Sequence, residues 1–195
     1  MTGPAGVRSA AEADLDPAAE VLALAFEDYA WTRWVLPEDG YEGRLRAVQR
    51  LYLGHALEHG IVLVGVDRRG TVDGVVAALP ADAPPPSADV LASVVELHGD
   101  RIDRLQPSAA LEHDWSIETL GVRPDVRGRG LGGLLVRQVL GAVADHDGGT
   151  VHLQTSDERN VRLYERHGFA VVAETAPVDG PPTWTLTRRS APVVR

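Results

Sequence analysis

Apolar positions change their spacing several times along the chain, and each change predicts a new helix or strand. Apolar residues at every third or fourth position are typical of an amphipathic helix, whereas a short continuous apolar run between turn residues is typical of a buried strand. The pattern predicts, in order, a strand at 7–10, helices at 18–29 and 41–59, strands at 61–66 and 72–79, a helix at 89–105, a strand at 115–122, a helix at 130–144, a strand at 150–155, a helix at 158–166 and strands at 169–174 and 183–187. Residues 107–113 predict a further short helical turn, and the proline-rich residues 80–87 predict a loop. Strands alternating with helices in the second half indicate a mixed α/β sheet.

The composition narrows the class of protein. With 195 residues, 44% of them hydrophobic and 24% charged, the chain is predicted to form one domain over residues 1–195, with a tail at 188–195. No apolar run approaches the ~18 residues of a membrane span and no signal-peptide pattern begins the chain, so we expect a cytoplasmic protein that does not bind membranes. The formal net charge of -9 argues against nucleic acid as a partner. The chain has no cysteine and no lysine, which excludes a thiolate nucleophile, Schiff-base chemistry and a Walker-type phosphate loop.

The most specific segment is the glycine-rich stretch at residues 121–133, which lies between a predicted strand and a predicted helix. Free amides at a helix N-terminus bind anions, and glycines let the backbone approach phosphate oxygens closely. Arg127 and Arg129 add positive charge at the same place, so the loop predicts a diphosphate site. The spacing Gly-x-Gly-x-x-Gly also fits a dinucleotide-binding fingerprint, with Asp157 as the ribose-binding acid. That interpretation is the weaker one, because a polar segment separates the strand from the first glycine and too little chain follows Asp157.

In the frame Arg127-x-x-Gly130-x-Gly132, the loop resembles that of the GNAT superfamily of acyl-CoA-dependent N-acetyltransferases. A second block that is similar to this superfamily comprises residues 153–156 (Leu-Gln-Thr-Ser), Asn160, residues 163–165 (Leu-Tyr-Glu) and residues 168–169 (Gly-Phe). The resemblance therefore covers about residues 115–175, the expected acetyl-CoA-binding core. Further similarity, to the puromycin N-acetyltransferases of actinomycetes, lies at residues 7–8, 25–29, 32–33, 164–169 and 180–184.

The resemblance implies a fold and a cofactor. The fold is a single mixed sheet of about six to seven strands, splayed at its centre and flanked by helices, in the α/β (α+β) class. Acetyl-CoA is expected to lie between the two parallel strands that separate, here residues 115–122 and 150–155. The implied cofactor-binding residues are Leu120, Gly121 and Val122 through their main chain, Arg127, Gly128, Arg129, Gly130, Leu131, Gly132 and Gly133 at the pyrophosphate, and Asn160 and Tyr164 at the pantetheine arm and thioester.

Acetyl transfer to an amine requires a group that takes a proton from the ammonium and a group that protonates the departing thiolate. Tyr164 resembles the general acid of the superfamily, and Glu118 lies in the strand where many members carry a base, although it departs from the puromycin enzymes. The alternative is that Tyr164 only packs on its helix. Because side chains alternate along a strand, we expect either Glu118 or Thr119 to point to solvent.

The first helix and the aromatic segment after it are expected to form the wall of the substrate pocket. The candidates are Glu27, Asp28, Tyr29, Trp31 and Arg33, with Trp34 beside them. Carboxylates attract a cationic amine and aromatic rings stack on a flat substrate, but these rings are equally suited to covering the core. Residues 55–59 (His-Ala-Leu-Glu-His) match a zinc-binding pattern, but they end a helix and have no companion ligand, so we predict no metal site.

Together these observations predict an enzyme that moves acetyl from acetyl-CoA to a primary amine of a small molecule. An aminonucleoside antibiotic such as puromycin is one candidate, which would make antibiotic resistance the biological role. A protein or peptide amine is the alternative substrate, and a non-catalytic acyl-CoA-binding regulatory module is the alternative of a different class. We expect a monomer or a homodimer.

Overall fold

Seven strands form one mixed sheet in the order β1-β2-β3-β4-β5-β7-β6 within the computed structural model, which describes residues 6–105, 112–146 and 148–190. The strands are β1 Gly6–Ser9, β2 Ile61–Val66, β3 Val72–Pro80, β4 Trp115–Val122, β5 Gly149–Thr155, β6 Ala170–Thr175 and β7 Thr183–Ser190. Only β4 and β5 pair in parallel, and every other neighbouring pair is antiparallel. The predicted hairpin of β2 and β3 is present, and the predicted splayed mixed sheet is confirmed.

Helices cover both faces of this sheet. They are α1 Leu15–Phe26, α2 Ala30–Val35, α3 Tyr41–His59, α4 Ala88–His98, α5 Leu131–Asp145 and α6 Glu158–Glu165. On one face α1 and α3 pack against Val62 and Val64 of β2, and on the other face α5 packs against Leu63. Strand β2 is therefore buried on both sides, which explains why its sequence is a continuous apolar run. Among the described residues, no helix combines the length and the apolar character that a membrane span requires.

Three predicted segments differ from the structure. The aromatic segment after α1 forms the short helix α2, and the helix predicted at 89–105 ends at His98. Gly99, with φ of +53°, breaks it, and a 3-10 turn follows at Gly99–Arg104. The predicted tail at 188–195 is wrong for its first three residues, because β7 continues to Ser190 in register with β5. The short turn predicted at 107–113 falls largely on residues outside the described ranges.

Strand β4 contains a β-bulge at Glu118. Opposite it on β3, Ala78 pairs with Ile117 and the next residue, Ala77, pairs with Thr119, so Glu118 has no partner. Directly paired residues project to the same face of a sheet. Ala78 belongs to the core beneath α5 and Ala77 to the core beneath α1 and α3. The bulge therefore turns the second half of β4 over, so that Ile117 and Thr119 face opposite layers.

Candidate active site

The site begins where β4 and β5 part. Their parallel pairing covers only Trp115, Ser116 and Ile117 of β4, and it stops at the bulge. From Glu118 to Val122 the strand keeps β3 as its neighbour but has no partner on the side of β5. A cavity of about 420 Å³ lies at this opening, with walls formed by the end of α1, α2, α3, α4, β4, the end of β5 and α6. The opening connects the two faces of the sheet.

Tyr164 reaches the cavity from the face covered by α5. It lies on α6, is 6% exposed, and packs edge-on against Phe169 with a ring separation of 5.7 Å. Within the described residues its hydroxyl makes no hydrogen bond. Burial raises the pKa of this phenol well above its usual value, and Tyr29 raises it further. The hydroxyl is therefore protonated at neutral pH, and its proton is not committed to another protein group.

Glu118 and Thr119 line the cavity together. Glu118 is exposed and Thr119 is half-buried, which agrees with the expectation that one of the two points to solvent, and the bulge between them places both at the cavity on the side of α3. Burial raises the pKa of the Tyr52 hydroxyl on α3, and the Glu118 carboxylate raises it further, which indicates that the two side chains lie near each other. Glu118 and Tyr164 thus approach one cavity from opposite faces of the sheet.

Tyr29 joins the segment between α1 and α2 to the end of β5. Its hydroxyl accepts a hydrogen bond from the backbone N–H of Ser156 and lies 3.1 Å from the hydroxyl of Thr155. Asn160 donates its side-chain amide to the same Thr155 oxygen at 3.2 Å. Tyr29, Thr155, Ser156 and Asn160 all line the cavity, so this cluster forms its wall on the β5 side.

The other residues predicted for the substrate wall divide into two groups. Trp31 lines the cavity beside Tyr29, whereas Glu27, Asp28 and Arg33 are not among its lining residues. The Asp28 side chain is 95% exposed and lies 3.8 Å from Arg33. Arg33 stacks over the ring of Tyr41 and pairs with Glu38 on the outer surface. Trp34 packs against Trp31 and is likewise not among the lining residues.

The glycine-rich loop leads into α5, as predicted. Gly128 and Gly130 have φ of +76° and +86°, a backbone conformation that glycine adopts without strain. The first helical hydrogen bond is donated by Leu134 to Gly130, and no side chain caps the helix. Within the described residues, the amides of Gly130, Leu131, Gly132 and Gly133 therefore have no protein acceptor. Four unpaired amides at the positive end of a helix dipole form an anion site that fits a pyrophosphate.

The arginines of this loop have structural partners. Arg127 donates to the carbonyl oxygens of Ala25 at 2.7 Å and Val122 at 3.2 Å, which fastens the loop to α1 and to the end of β4. Arg129 donates to the carbonyl of Asp125 at 3.2 Å. Both side chains are exposed, so their charge still contributes to the field at the loop.

Gly121 is required for packing. A Cβ at this position would lie 2.6 Å from Cδ2 of Leu22 and 3.1 Å from Cβ of Ala25, so α1 sits directly on the β4 backbone here. This contact brings the end of α1, and with it Tyr29, over the opening between the strands.

Several polar residues of the cavity were not predicted. They are Gln49, Tyr52 and His55 of α3, His98 of α4 and Thr119 of β4. Gln49, Tyr52 and His55 recur at helical spacing and so lie on one face of α3. This spacing can be seen in the sequence, but polar residues on one helix face do not by themselves indicate a cavity. The described residues contain no group of three or more His, Asp or Glu side chains arranged to hold a metal ion.

Comparison with solved structures shows the same fold in acetyltransferases. The histone acetyltransferase HPA2 and related acetyltransferase from Corynebacterium glutamicum is 24% identical, with a TM-score of 0.73 over 100% of this chain and 99% of that one. The ribosomal-protein-S18-alanine N-acetyltransferase from Escherichia coli is 13% identical, with a TM-score of 0.61 over 97% and 96% of the two chains. A GNAT superfamily phosphinothricin acetyltransferase from Sinorhizobium meliloti, in complex with AcCoA, is 17% identical, with a TM-score of 0.64 over 98% and 90%. At these identities the similarity establishes the fold alone.

The sequence itself matches the model of the acetyltransferase (GNAT) family over residues 24–169. The match includes the glycine-rich loop, the bulged strand and α6, and it extends over well more than half of the chain. The protein therefore belongs to the GNAT family of acetyltransferases.

Proposed function

We propose that the protein transfers acetyl from acetyl-CoA to a primary amine of a small molecule. The observation that carries this proposal is the presence of Glu118 and Tyr164 on the wall of one cavity, at the opening between β4 and β5. A carboxylate and a protonated phenol are the two groups that the reaction requires.

The residues present fit acetyl-CoA. The unpaired amides of Gly130–Gly133 would hold its pyrophosphate, with Gly128, Arg127 and Arg129 beside them. The unpaired edge of β4 at Leu120, Gly121 and Val122 offers main-chain groups to the pantetheine arm, and Asn160 lies across the opening. When bound, acetyl-CoA supplies an acetyl group activated as a thioester.

The side chains then have separate roles in proton transfer. The Glu118 carboxylate accepts the proton that the ammonium of the substrate must lose before its nitrogen becomes nucleophilic. Tyr164 keeps its proton at Oη, because burial raises its pKa, and gives that proton to the departing thiolate. Tyr29 is hydrogen-bonded to Thr155 and Ser156 and thereby holds in place the part of the wall between Glu118 and Tyr164.

The shape of the cavity favours a small molecule over a protein. Side chains of α2, α3 and α4 surround it, and apolar residues such as Leu45, Val48 and Leu105 line its walls. A pocket of a few hundred Å³ with apolar walls and few polar groups is typical of small-ligand sites. The related structures are named for histones, a ribosomal protein and phosphinothricin, so the relatives do not choose between the two classes. Puromycin as substrate, the antibiotic-resistance role and a cytoplasmic location stay predictions from the sequence.

The test uses the full chain. Acetyl-CoA is expected to raise the melting temperature, and thiol release is expected with at least one member of a panel of primary amines that includes puromycin, with the acetylated product identified by mass. A histone peptide in the same panel tests the protein alternative. Stabilisation by acetyl-CoA without acetylation of any amine would support a regulatory module, and failure to bind any acyl-CoA would refute the proposal.

A further inference from the structure

The cavity extends past the reacting groups along α3. Leu45, Val48, Gln49, Tyr52 and His55 line it from one face of this helix, a stretch of about 15 Å at 1.5 Å per residue. Apolar side chains from other elements, such as Val35, Leu36 and Leu105, also line the cavity. The part of the cavity beside α3, bounded by the five α3 residues, is called here the α3 chamber.

Gln49 is the buried polar residue of the α3 chamber, whereas Tyr52 and His55 are more exposed. Gln49 is 7% exposed, its Oε1 has no hydrogen-bond partner, and its amide makes no hydrogen bond within the described residues. Buried polar groups in proteins are almost always hydrogen-bonded, so this unpaired amide on a cavity wall is available to pair with a ligand. Gln49 lies one helical turn before Tyr52, whose pKa is raised in part by the negative charge of Glu118. The amide therefore lies one turn of α3 further along the cavity wall than Tyr52.

His98 adds a second polar group, and the protonation of its two ring nitrogens is fixed by its surroundings. Its Nδ1 lies 2.7 Å from the carbonyl oxygen of Val94, which only accepts, so Nδ1 carries the hydrogen. Burial lowers the pKa of this imidazole, which is 1% exposed, and the ring is neutral at neutral pH. Its Nε2 then holds a lone pair, and His98 contributes a hydrogen-bond acceptor and no charge.

Among the Asp, Glu and Arg side chains, Glu118 is the only one that lines the cavity in the described part of the chain, and neither Arg127 nor Arg129 does so. A carboxylate or phosphonate on the substrate would find no arginine in the α3 chamber and would be repelled by Glu118. A cationic amine at Glu118 with an uncharged remainder matches this distribution.

We propose that the α3 chamber selects primary amines that have an apolar or aromatic body and an uncharged hydrogen-bonding group at the end remote from the amine. Gln49 pairs with that group, and its amide serves either as donor or as acceptor after a half-turn of its terminal torsion. Acidic amines, including free amino acids, are excluded. This assignment rests on the proposed function, because Glu118 orients the amine.

The experiment compares amines that differ in a single hydroxyl. The pairs are benzylamine with 4-hydroxybenzylamine, and phenethylamine with tyramine, and L-tyrosine adds a carboxylate to tyramine. Each is assayed for kcat/KM by thiol release with the wild type, with Gln49→Met and with Gln154→Met. Gln154 is the matched control, because it lines the same cavity but its amide already donates to Thr185 at 3.1 Å. Quenching of the tryptophan fluorescence, to which Trp31 on the cavity wall contributes, measures amine binding independently of turnover.

We expect the hydroxylated member of at least one pair to be preferred about tenfold by the wild type and by Gln154→Met. Gln49→Met should lose that preference while keeping kcat/KM for the partner without the hydroxyl, and tyrosine should be a poor substrate throughout. Equal kcat/KM within both pairs, a preference that survives Gln49→Met, or tyrosine turned over as well as tyramine would overturn the assignment while leaving the proposed function intact. Absence of turnover with every amine of both this set and the wider panel, despite acetyl-CoA binding, would refute the proposed function instead.

Discussion

Replacing Tyr164 by Phe separates catalysis from folding more cleanly than any other change in the cavity. The substitution removes one oxygen and keeps the ring that packs against Phe169. Because the hydroxyl has no protein partner within the described residues, its removal breaks no hydrogen bond and leaves no group unsatisfied. The free energy of unfolding should therefore stay the same within a few tenths of a kcal/mol. The reaction, in contrast, loses its proposed proton donor.

The expected decrease in kcat follows from the proposed role of Tyr164 as a general acid. A positioned general acid contributes about 10²- to 10⁴-fold, and at about 1.36 kcal/mol per factor of ten this corresponds to roughly 2.7–5.4 kcal/mol of transition-state stabilisation. Tyr29, which lies near enough to raise the pKa of Tyr164, provides a second phenol on the same wall. We therefore expect a loss near the lower end, about 100-fold in kcat.

The assay pairs thiol release with urea unfolding, and Tyr41→Phe is the control. The Tyr41 hydroxyl is buried and bonds to the hydroxyl of Thr32 at 2.9 Å and to the carbonyl of Phe26 at 3.2 Å. Its removal should cost about 1 kcal/mol of stability and leave kcat almost unchanged. Tyr164→Phe should thus lower kcat and keep the free energy of unfolding, whereas Tyr41→Phe should lower the free energy of unfolding and keep kcat. If Tyr164→Phe keeps kcat within threefold of the wild type, Tyr164 is not the acid and the proposed mechanism is wrong.

Three further changes test other parts of the site. Glu118→Gln should lower kcat/KM at pH 7 by about 10²-fold or more, and the deficit should shrink as pH rises, because free amine then forms in solution; a deficit independent of pH would argue against a base. Gly130→Ala and the control Gly70→Ala, with φ of +86° and +84°, should each cost about 1–2 kcal/mol of stability, but only the former should weaken acetyl-CoA in a thermal-shift titration. Gly121→Ala should destabilise by about 1–3 kcal/mol in urea unfolding, since its Cβ would lie 2.6 Å from Leu22; an unchanged midpoint would mean that α1 moves away without cost.

Local chemistry explains what the sequence predicted well. The hairpin of β2 and β3 follows from two apolar runs around one turn. Glycines placed directly before a helix are the signal for the diphosphate site, which stays a prediction. Tyr164 and Asn160 were predicted as site residues because their spacing on one helix matches a known family, and both line the cavity. In each case the signal lies within a few neighbouring residues.

The α3 chamber and the bulge were not predictable in the same way. Gln49, Tyr52 and His55 look like an ordinary amphipathic helix until α2, α4 and β4 are placed around them. Nothing in the eight residues of β4 marks Glu118 as the extra one, because a bulge is defined by the partner strand and not by its own sequence. Tyr29 was predicted as a wall residue, but its bonds to the end of β5 depend on contacts across more than one hundred residues.

The bulge at Glu118 also makes the length of β4 unusually important. Six residues of β4, Ile117 to Val122, lie opposite only five residues of β3, and Glu118 is the extra one. If Glu118 were deleted, Thr119 would still lie opposite Ala77, and Gly121 would still lie beneath α1, because the later pairs would keep their register. A homologue or engineered variant that is one residue shorter between Ile117 and Val122 would therefore be expected to keep both layers of the sheet but to lose the kink, so that β4 could continue its ladder with β5 and close the entrance.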